Sequence, residues 1–105
     1  MAKIAANQIA QYATVIDGTG APLTLTNAHD GYIVGVDADV TVPPGLVKGF
    51  NCLLIQIGAD PVEIIASGTI IHHRQDHAHI AGQWGMVTVA SYAEDVFVLG
   101  GDTDT

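Results

Sequence analysis

Short apolar runs separated by turn residues follow one another along most of the chain. From residue 14 onward the runs recur at roughly eight to twelve residue spacing, which is typical of β-sandwiches and barrels. The turns carry Gly, Pro and Asp, as in Asp17–Gly20 and Gly58–Pro61, and no stretch here keeps a helical period over ten residues. We therefore predict an all-β fold: a compact antiparallel β-sandwich or barrel-like, jelly-roll-like single domain over residues 14–105.

Two of the predicted strands are apolar on both sides. In Phe50–Ile57 and in Val96–Leu99, residues of both parities are largely apolar, whereas Val62–Ala66 and Met86–Ala90 alternate less completely. A strand of this kind has both of its faces covered. We expect the first two strands to lie centrally in the sheet or against a neighbouring subunit.

The first 13 residues follow a different pattern. They lack the Gly and Pro residues found later, and they place Ile4, Gln8, Ile9 and Tyr12 at weakly helical spacing. Little within the segment can bury these apolar side chains. We predict an N-terminal arm over residues 1–13, helical or extended, in which Ile4, Ile9 and Tyr12 bind a partner.

The composition favours an assembly. Hydrophobic residues make up 49% of the 105 residues and charged residues only 13%, about half the usual charged share of roughly 25% in soluble domains. Too few charged side chains are present to cover a monomer, so the additional apolar residues are assigned to a subunit interface. We expect a homotrimer.

Charge and cysteine usage exclude several classes of partner. Three Lys and Arg residues stand against eleven carboxylates, giving a net charge of −8 that repels phosphate backbones, so no nucleic acid is expected. No apolar run approaches the roughly 18 residues of a membrane span, so no membrane is expected. The single Cys52 has no partner for an internal disulfide, and no basic-then-apolar leader precedes the first residues, which predicts folding in a reducing cytosol.

Four segments resemble a β-rich module that recurs in tailed-bacteriophage virion proteins. They are Val40–Phe50, Leu54–Gly58, Ala81–Gly85 and Phe97–Asp102, and the resemblance covers roughly residues 23–102. Their order and spacing carry it, since each piece alone is common in β proteins. In such modules the Pro-Gly segment ends one strand and turns the chain, a role that falls here on Pro43, Pro44, Gly45 and Gly49.

The resemblance implies a structural role in the virion with no catalytic residues to carry over. The function expected is a capsid decoration (cement) subunit that binds the major capsid protein, stabilises the head as a homotrimer, and is assembled in the host cytoplasm. The alternative is a tail-fibre, neck or spike module that binds a host-surface glycan. No nucleophile elbow and no Gly-rich phosphate loop with Lys occur, so neither an enzyme nor a cofactor is expected.

One histidine-rich segment could hold a metal ion. If Arg74–Asp76 is a three-residue hairpin loop, His73, His77 and His79 share one face and could converge on zinc or nickel. His77 and His79 also have the His-x-His form found around an axial iron in some trimeric phage spikes. The favoured interpretation is a solvated polar hairpin with no metal.

Trp84 is the second candidate for chemistry. Together with Tyr12, Tyr32 and Tyr92 it could line a sugar-binding surface. The interpretation favoured from the sequence is that Trp84 packs at a strand corner with its indole N–H satisfied locally.

Overall fold

The strands follow the turn signals of the sequence closely. A computed structural model describes residues 15–105, so the predicted arm at residues 1–13, with Ile4, Ile9 and Tyr12, lies outside the described residues. The described residues form eleven strands and one short 3-10 helix, which confirms the all-β prediction. The strands are β1 (Val15–Asp17), β2 (Leu23–Thr24), β3 (Ile33–Val36), β4 (Val40–Val42), β5 (Asn51–Gln56), β6 (Ile64–Ala66), β7 (Ile70–His72), β8 (His79–Ile80), β9 (Met86–Ala93), β10 (Val96–Gly101) and β11 (Thr103–Asp104), and the helix is η1 (Asn27–His29).

The first six strands alternate between two sheets. One sheet has six strands in the order β1-β3-β5-β9-β10-β7, and another has three in the order β2-β4-β6. Val15 pairs with Ile33 and Ile33 pairs with Leu53, both in parallel, so successive turns of the chain take 18 (33−15) and 20 (53−33) residues. The chain therefore winds as a coil whose successive turns stack through parallel hydrogen bonding.

The predicted antiparallel arrangement is wrong for most of the pairings. Five of the eight strand pairings are parallel, and only β9 with β5, β9 with β10, and β8 with β11 are antiparallel. The reason lies in the turns. Asp37–Asp39 reads as a hairpin turn in the sequence but carries the chain from β3 to the other sheet, where the Leu23 amide N–H donates to the Asp39 carbonyl. Turn residues therefore predict where the chain bends, but they do not predict which strands pair with each other.

The two-stranded sheet of β8 and β11 continues the three-stranded one. Glu63 and His79 form an antiparallel bridge beside β6. The Ile64 amide N–H donates to the Ala78 carbonyl at 2.7 Å, and the Ile80 amide N–H donates to the Val62 carbonyl at 3.0 Å. Hydrogen bonding is therefore continuous from β2 through β4, β6 and β8 to β11.

The core is built from alternate residues of both sheets. Phe50 and Phe97 are fully buried and meet edge to face with ring centroids 6.5 Å apart, a favoured geometry for aromatic pairs. Apolar side chains from β3, β4, β5, β6, β9 and β10 surround them. The other buried apolar residues on strands are Val34, Val36, Val40, Val42, Cys52, Leu54, Ile64, Ile80, Val87, Val89 and Leu99.

Aspartate side chains tie neighbouring turns together. Asp37 Oδ1 accepts from the Gly20 amide at 2.9 Å, and Asp39 Oδ1 accepts from the Glu63 amide at 3.0 Å. Each bond joins residues from successive turns of the coil. The carboxylates satisfy backbone donors where the parallel ladders end, a location in which unpaired donors would otherwise have to find water.

The Pro-Gly segment has the role that the sequence predicts. Strand β4 ends at Val42, directly before Pro43. Gly45 and Gly49 have φ of 90° and 86°, the left-handed region that glycine accepts without strain. The turn is fixed to the far end of the chain because Asp95 Oδ1 accepts from the Gly45 amide at 3.0 Å.

A glycine is required where β10 leaves its sheet. Gly101 has φ of 119°, and a Cβ there would collide with the Met86 carbonyl oxygen of the adjacent strand. The next residue closes the corner, since the Asp102 amide donates to that same carbonyl at 2.9 Å. Gly100 differs, because a Cβ built there meets nothing within 4 Å.

Gly101→Ala should destabilise the fold by roughly 1–3 kcal/mol, because both the backbone conformation and the contact with Met86 resist a side chain. Gly100→Ala is the matched control and should change the free energy of unfolding by less than about 0.5 kcal/mol. Urea denaturation followed by circular dichroism compares the two. Equal stability of both variants would contradict the assignment of this corner.

Candidate functional site

The histidine-rich segment does not form the predicted hairpin. Strand β7 pairs with β10 and strand β8 with β11, so the two predicted hairpin strands belong to different sheets. A tight turn does close between them: the Asp76 amide donates to the His73 carbonyl at 3.1 Å, and Asp76 has φ of 59°. The turn was predicted correctly and the ladder was not, because the chain crosses to the second sheet after this turn.

The turn brings His73 and His77 together. Their rings stack with centroids 4.9 Å apart and an interplanar angle of 17°. The Thr103 hydroxyl lies between them, 2.8 Å from His73 Nε2 and 3.0 Å from His77 Nδ1. Sequence reasoning missed Thr103, which lies 26 positions beyond His77 and is placed by the corner at Gly101.

The hydrogen bonds give this cluster a direction. His73 Nδ1 accepts from the Gln75 amide at 2.9 Å and from the His77 amide at 3.2 Å. An imidazole nitrogen that accepts carries no proton, so the network assigns the proton of His73 to Nε2, which donates to Thr103 Oγ1. The Thr103 hydroxyl then donates to His77 Nδ1. Both nitrogens of His73 are occupied by the turn and by Thr103, so a metal ion could bind there only by displacing these bonds.

His79 does not join the other two histidines. It lies on β8 paired with Asp104, and its buried Nδ1 has no hydrogen-bond partner in the described part of the chain. Among residues 15–105, no group of three or more His, Cys, Asp or Glu side chains is placed to hold a metal ion. The predicted shared face of His73, His77 and His79 is therefore wrong, and the observed arrangement is a hydrogen-bonded structural cluster.

The buried position of Cys52 makes its thiol unreactive. It lies on the inward side of β5 with no exposed surface. Burial, with a smaller contribution from the charge of Asp30, raises the pKa of the Cys52 thiol from 9.0 to about 12. The thiolate required for nucleophilic chemistry is therefore absent near neutral pH.

The outward side of the six-stranded sheet carries no charged residue on its four central strands. On its four central strands, the residues that alternate with buried ones point away from the core. Strand register sets them in rows: Ile33, Leu53, Thr88 and Gly100 lie side by side across β3, β5, β9 and β10. We call this surface the open face. Its members are Ile33, Asn51, Leu53, Ile55, Met86, Thr88, Ala90, Val96, Val98 and Gly100.

Exposed apolar side chains concentrate on this sheet. Of the seven large hydrophobic residues that are exposed within residues 15–105, five lie on its strands. They include Met86 and Val98 on the open face and Val15 and Ile70 on the two edge strands. None of the open-face residues is charged, whereas Asp17 and His72 lie on the edge strands. An apolar face bordered by polar residues is typical of an interaction surface.

The aromatic residues are not gathered into one surface by the described structure. Tyr32 packs against the core, and Tyr92 is an exposed residue at the bulge between β9 and β10. Tyr12 lies outside the described residues. Trp84 is 63% exposed, so the expectation that it packs at a strand corner is wrong.

Comparison with known proteins adds no relative: no family model, no curated protein and no solved structure matches the chain. Among the described residues, no helix is long and apolar enough to cross a membrane.

Thr103→Val should destabilise the protein by about 1–2 kcal/mol, because it removes the hydroxyl that joins His73 and His77 while keeping the shape of the side chain. Thr103→Ser retains the hydroxyl and serves as the control, with a smaller loss. Thermal denaturation with zinc and with a chelator should give the same midpoint for the unsubstituted protein. A midpoint that rises in stoichiometric zinc would refute the structural interpretation of the cluster.

The buried Cys52 should make stability depend on alkaline pH. Because the folded pKa of about 12 lies above the ordinary value of 9.0, the unfolded chain loses this proton first. The stability that the protonated thiol contributes is complete below pH 9 and is lost as pH rises toward 12. The free energy of unfolding should fall over this range by at most about 1.4 kcal/mol per pH unit. Denaturation of the unsubstituted protein and of Cys52→Ala across this range measures it. Identical slopes would show that the thiol does not titrate as described.

Proposed function

We propose that this protein is a non-enzymatic structural subunit of a tailed-bacteriophage particle, a capsid decoration (cement) subunit that acts as a homotrimer on the capsid surface. The uncharged open face is the observation that carries the proposal. The resemblance of Val40–Phe50, Leu54–Gly58, Ala81–Gly85 and Phe97–Asp102 to the phage module supports the same class.

The chemistry of the open face fits copies of this chain better than an unrelated partner. Transient interfaces are about as polar as the rest of a protein surface, whereas interfaces between permanent copies are more apolar. The open face presents Leu53, Ile55 and Val98 with no charged neighbour on the four central strands. It also lets chains of net charge −8 associate without opposing carboxylates at the contact.

The whole outward side of the six-stranded sheet limits the contact that the open face and its two edge strands can make. Six strands at about 4.8 Å spacing span about 24 Å, and the eight residues of β9 extend about 26 Å. The flat area of this side of the sheet is on the order of 500 Å². The surface of its side chains is larger than this flat area. Stable interfaces bury about 800 Å² on each partner, so the outward side of the sheet, with Val15 and Ile70 on its edge strands, provides part of the surface that contacts with two neighbours require.

We propose that the two layers of strands pack as a sandwich, with the core between them and the open face turned toward a three-fold axis. Three sheets arranged around an axis form a triangular prism in which each open face contacts both neighbours. Side chains that are half-buried in one chain, such as Leu53 and Ile55, would then form the interior of the prism. Burial of a side chain of this size contributes about 1.5–3 kcal/mol.

Attachment to the major capsid protein is assigned to residues 1–13, with Ile4, Ile9 and Tyr12 as the contacting side chains. These residues directly precede β1, an edge strand of the six-stranded sheet. This assignment remains a prediction from the sequence.

Thr88→Lys should dissociate the trimer, because it places a charge in the middle of the open face, between Leu53 and Gly100, where association would desolvate it. In the single chain, the lysine can extend into water and the fold should persist. Light scattering coupled to gel filtration should give about three times 10.9 kDa for the unsubstituted protein and the single-chain mass for the variant.

Thr24→Lys is the matched control, since it makes the same substitution at an exposed position on the three-stranded sheet and should leave the mass unchanged. Circular dichroism checks that both variants are folded. A single-chain mass for the unsubstituted protein at micromolar concentration would remove the trimer, and equal dissociation by Thr24→Lys would remove the open face as its interface.

A further inference from the structure

Trp84 has a backbone conformation that tryptophan rarely adopts. Its φ is 70°, in the left-handed region, and its side chain is 63% exposed. Among the described residues, two further non-glycine residues, Asp76 and Asp95, have φ in this region. Aspartate tolerates this conformation, whereas bulky residues do not. Strain at an exposed aromatic residue, with no burial to offset it, is typical of a functional position.

The turn that carries Trp84 is fixed from both sides. The Trp84 amide donates to the Gln56 carbonyl at 2.7 Å, and the Gly85 amide donates to the Gly82 carbonyl at 2.9 Å. The turn also packs closely on β8, since a Cβ at Gly85 would lie 2.8 Å from Ile80 Cγ2. The turn therefore fixes the backbone from which the indole projects before any ligand arrives, and this lowers the ordering cost of binding.

Polar groups border the cavity beside the indole. The cavity is an open surface depression of about 500 Å³, lined by Gln75, Gln83, Trp84, Asp102 and Thr103 among others. Its volume lies within the usual range of about 300–1,000 Å³ for small-molecule sites. Thr103 is already bonded to the histidine cluster.

Two of the lining side chains present oriented acceptors. Gln83 Nε2 donates to the Ile57 carbonyl at 3.0 Å, which fixes the amide and leaves Oε1 to accept. Asp102 Oδ2 accepts from the Met86 amide at 3.2 Å, which fixes the carboxylate and leaves Oδ1. Each anchored group therefore keeps one acceptor for a ligand.

We propose that this cavity binds a neutral saccharide. The indole of Trp84 covers the apolar C–H face of a sugar ring, while Gln83 Oε1 and Asp102 Oδ1 accept hydrogen bonds from its hydroxyl groups. Anionic sugars are disfavoured because the lining includes Asp102 and no Lys or Arg. The inference does not rest on the trimer, since every group it uses belongs to one chain.

Trp84 is the only tryptophan of the chain, so its fluorescence reports this cavity alone. The probes are glucose, galactose, mannose and N-acetylglucosamine and their oligosaccharides, with N-acetylneuraminic acid as the anionic comparison. At least one neutral sugar should shift the emission to shorter wavelength with saturation, and N-acetylneuraminic acid should not. Asp102→Asn should weaken that response about tenfold, whereas Asp104→Asn, which removes the same charge outside the cavity, should leave it unchanged.

Calorimetric titration of Trp84→Ala and Trp84→Phe with the same sugar separates the indole from the acceptors, with binding lost in the first and retained in part in the second. The proposal is overturned if no neutral sugar of the panel changes the emission up to tens of millimolar, or if N-acetylneuraminic acid acts equally. It is also overturned if the emission depends on protein concentration and not on sugar, which would assign Trp84 to a contact between copies. If Trp84→Ala fails to fold, the sugar affinities of Asp102→Asn and Asp104→Asn are compared instead. Equal affinities of these two variants would overturn the proposal.

Discussion

Strand β5 joins the two halves of the molecule. On one side it pairs in parallel with β3, the last step of the coil, and on the other it pairs antiparallel with β9, the first step of the C-terminal β9-β10 unit. Its inward residues Cys52 and Leu54 are fully buried in the core that both halves share. A polar substitution on that side would therefore leave an unpaired group in the core between the two units.

The same strand explains why the molecule has a buried side and an open one. Parallel ladders are normally covered on both faces, and the apolar residues of both parities in β5 meet that requirement only if something covers Leu53 and Ile55. Within the described chain, Leu53 and Ile55 are half-buried, and Ile57 folds over Gly35, where a Cβ would lie 3.1 Å from Ile57 Cγ1. Assembly of copies is the physical alternative to a larger fold.

Sequence patterns predicted the strands but not their directions. The two-sided apolar pattern correctly placed Phe50–Ile57 and Val96–Leu99 centrally, since β5 and β10 each have two neighbours. Whether strands pair parallel or antiparallel depends on whether a short turn reverses the chain within one sheet or carries it to a second sheet. Asp and Gly are suited to both kinds of turn. The same ambiguity explains the histidines. The predicted turn brings His73 and His77 together, but His79 lies on a strand of another sheet and is not in their group. Thr103 gave no local signal, because its contact with the histidines exists only after β10 and β11 are in place.

The most informative residue in the site is one whose sequence context suggested packing. Trp84 follows Gly82 and Gln83 and precedes Gly85, a context that also fits a corner filled by an aromatic ring. The structure distinguishes the two interpretations, since the Trp84 side chain is 63% exposed and its φ is 70°. The turn directly precedes β9, whose first residue, Met86, belongs to the open face. A prism built from three open faces would therefore carry three Trp84 cavities at one end, so that weak contacts to a repeated saccharide surface would act together and gain affinity without any new contact.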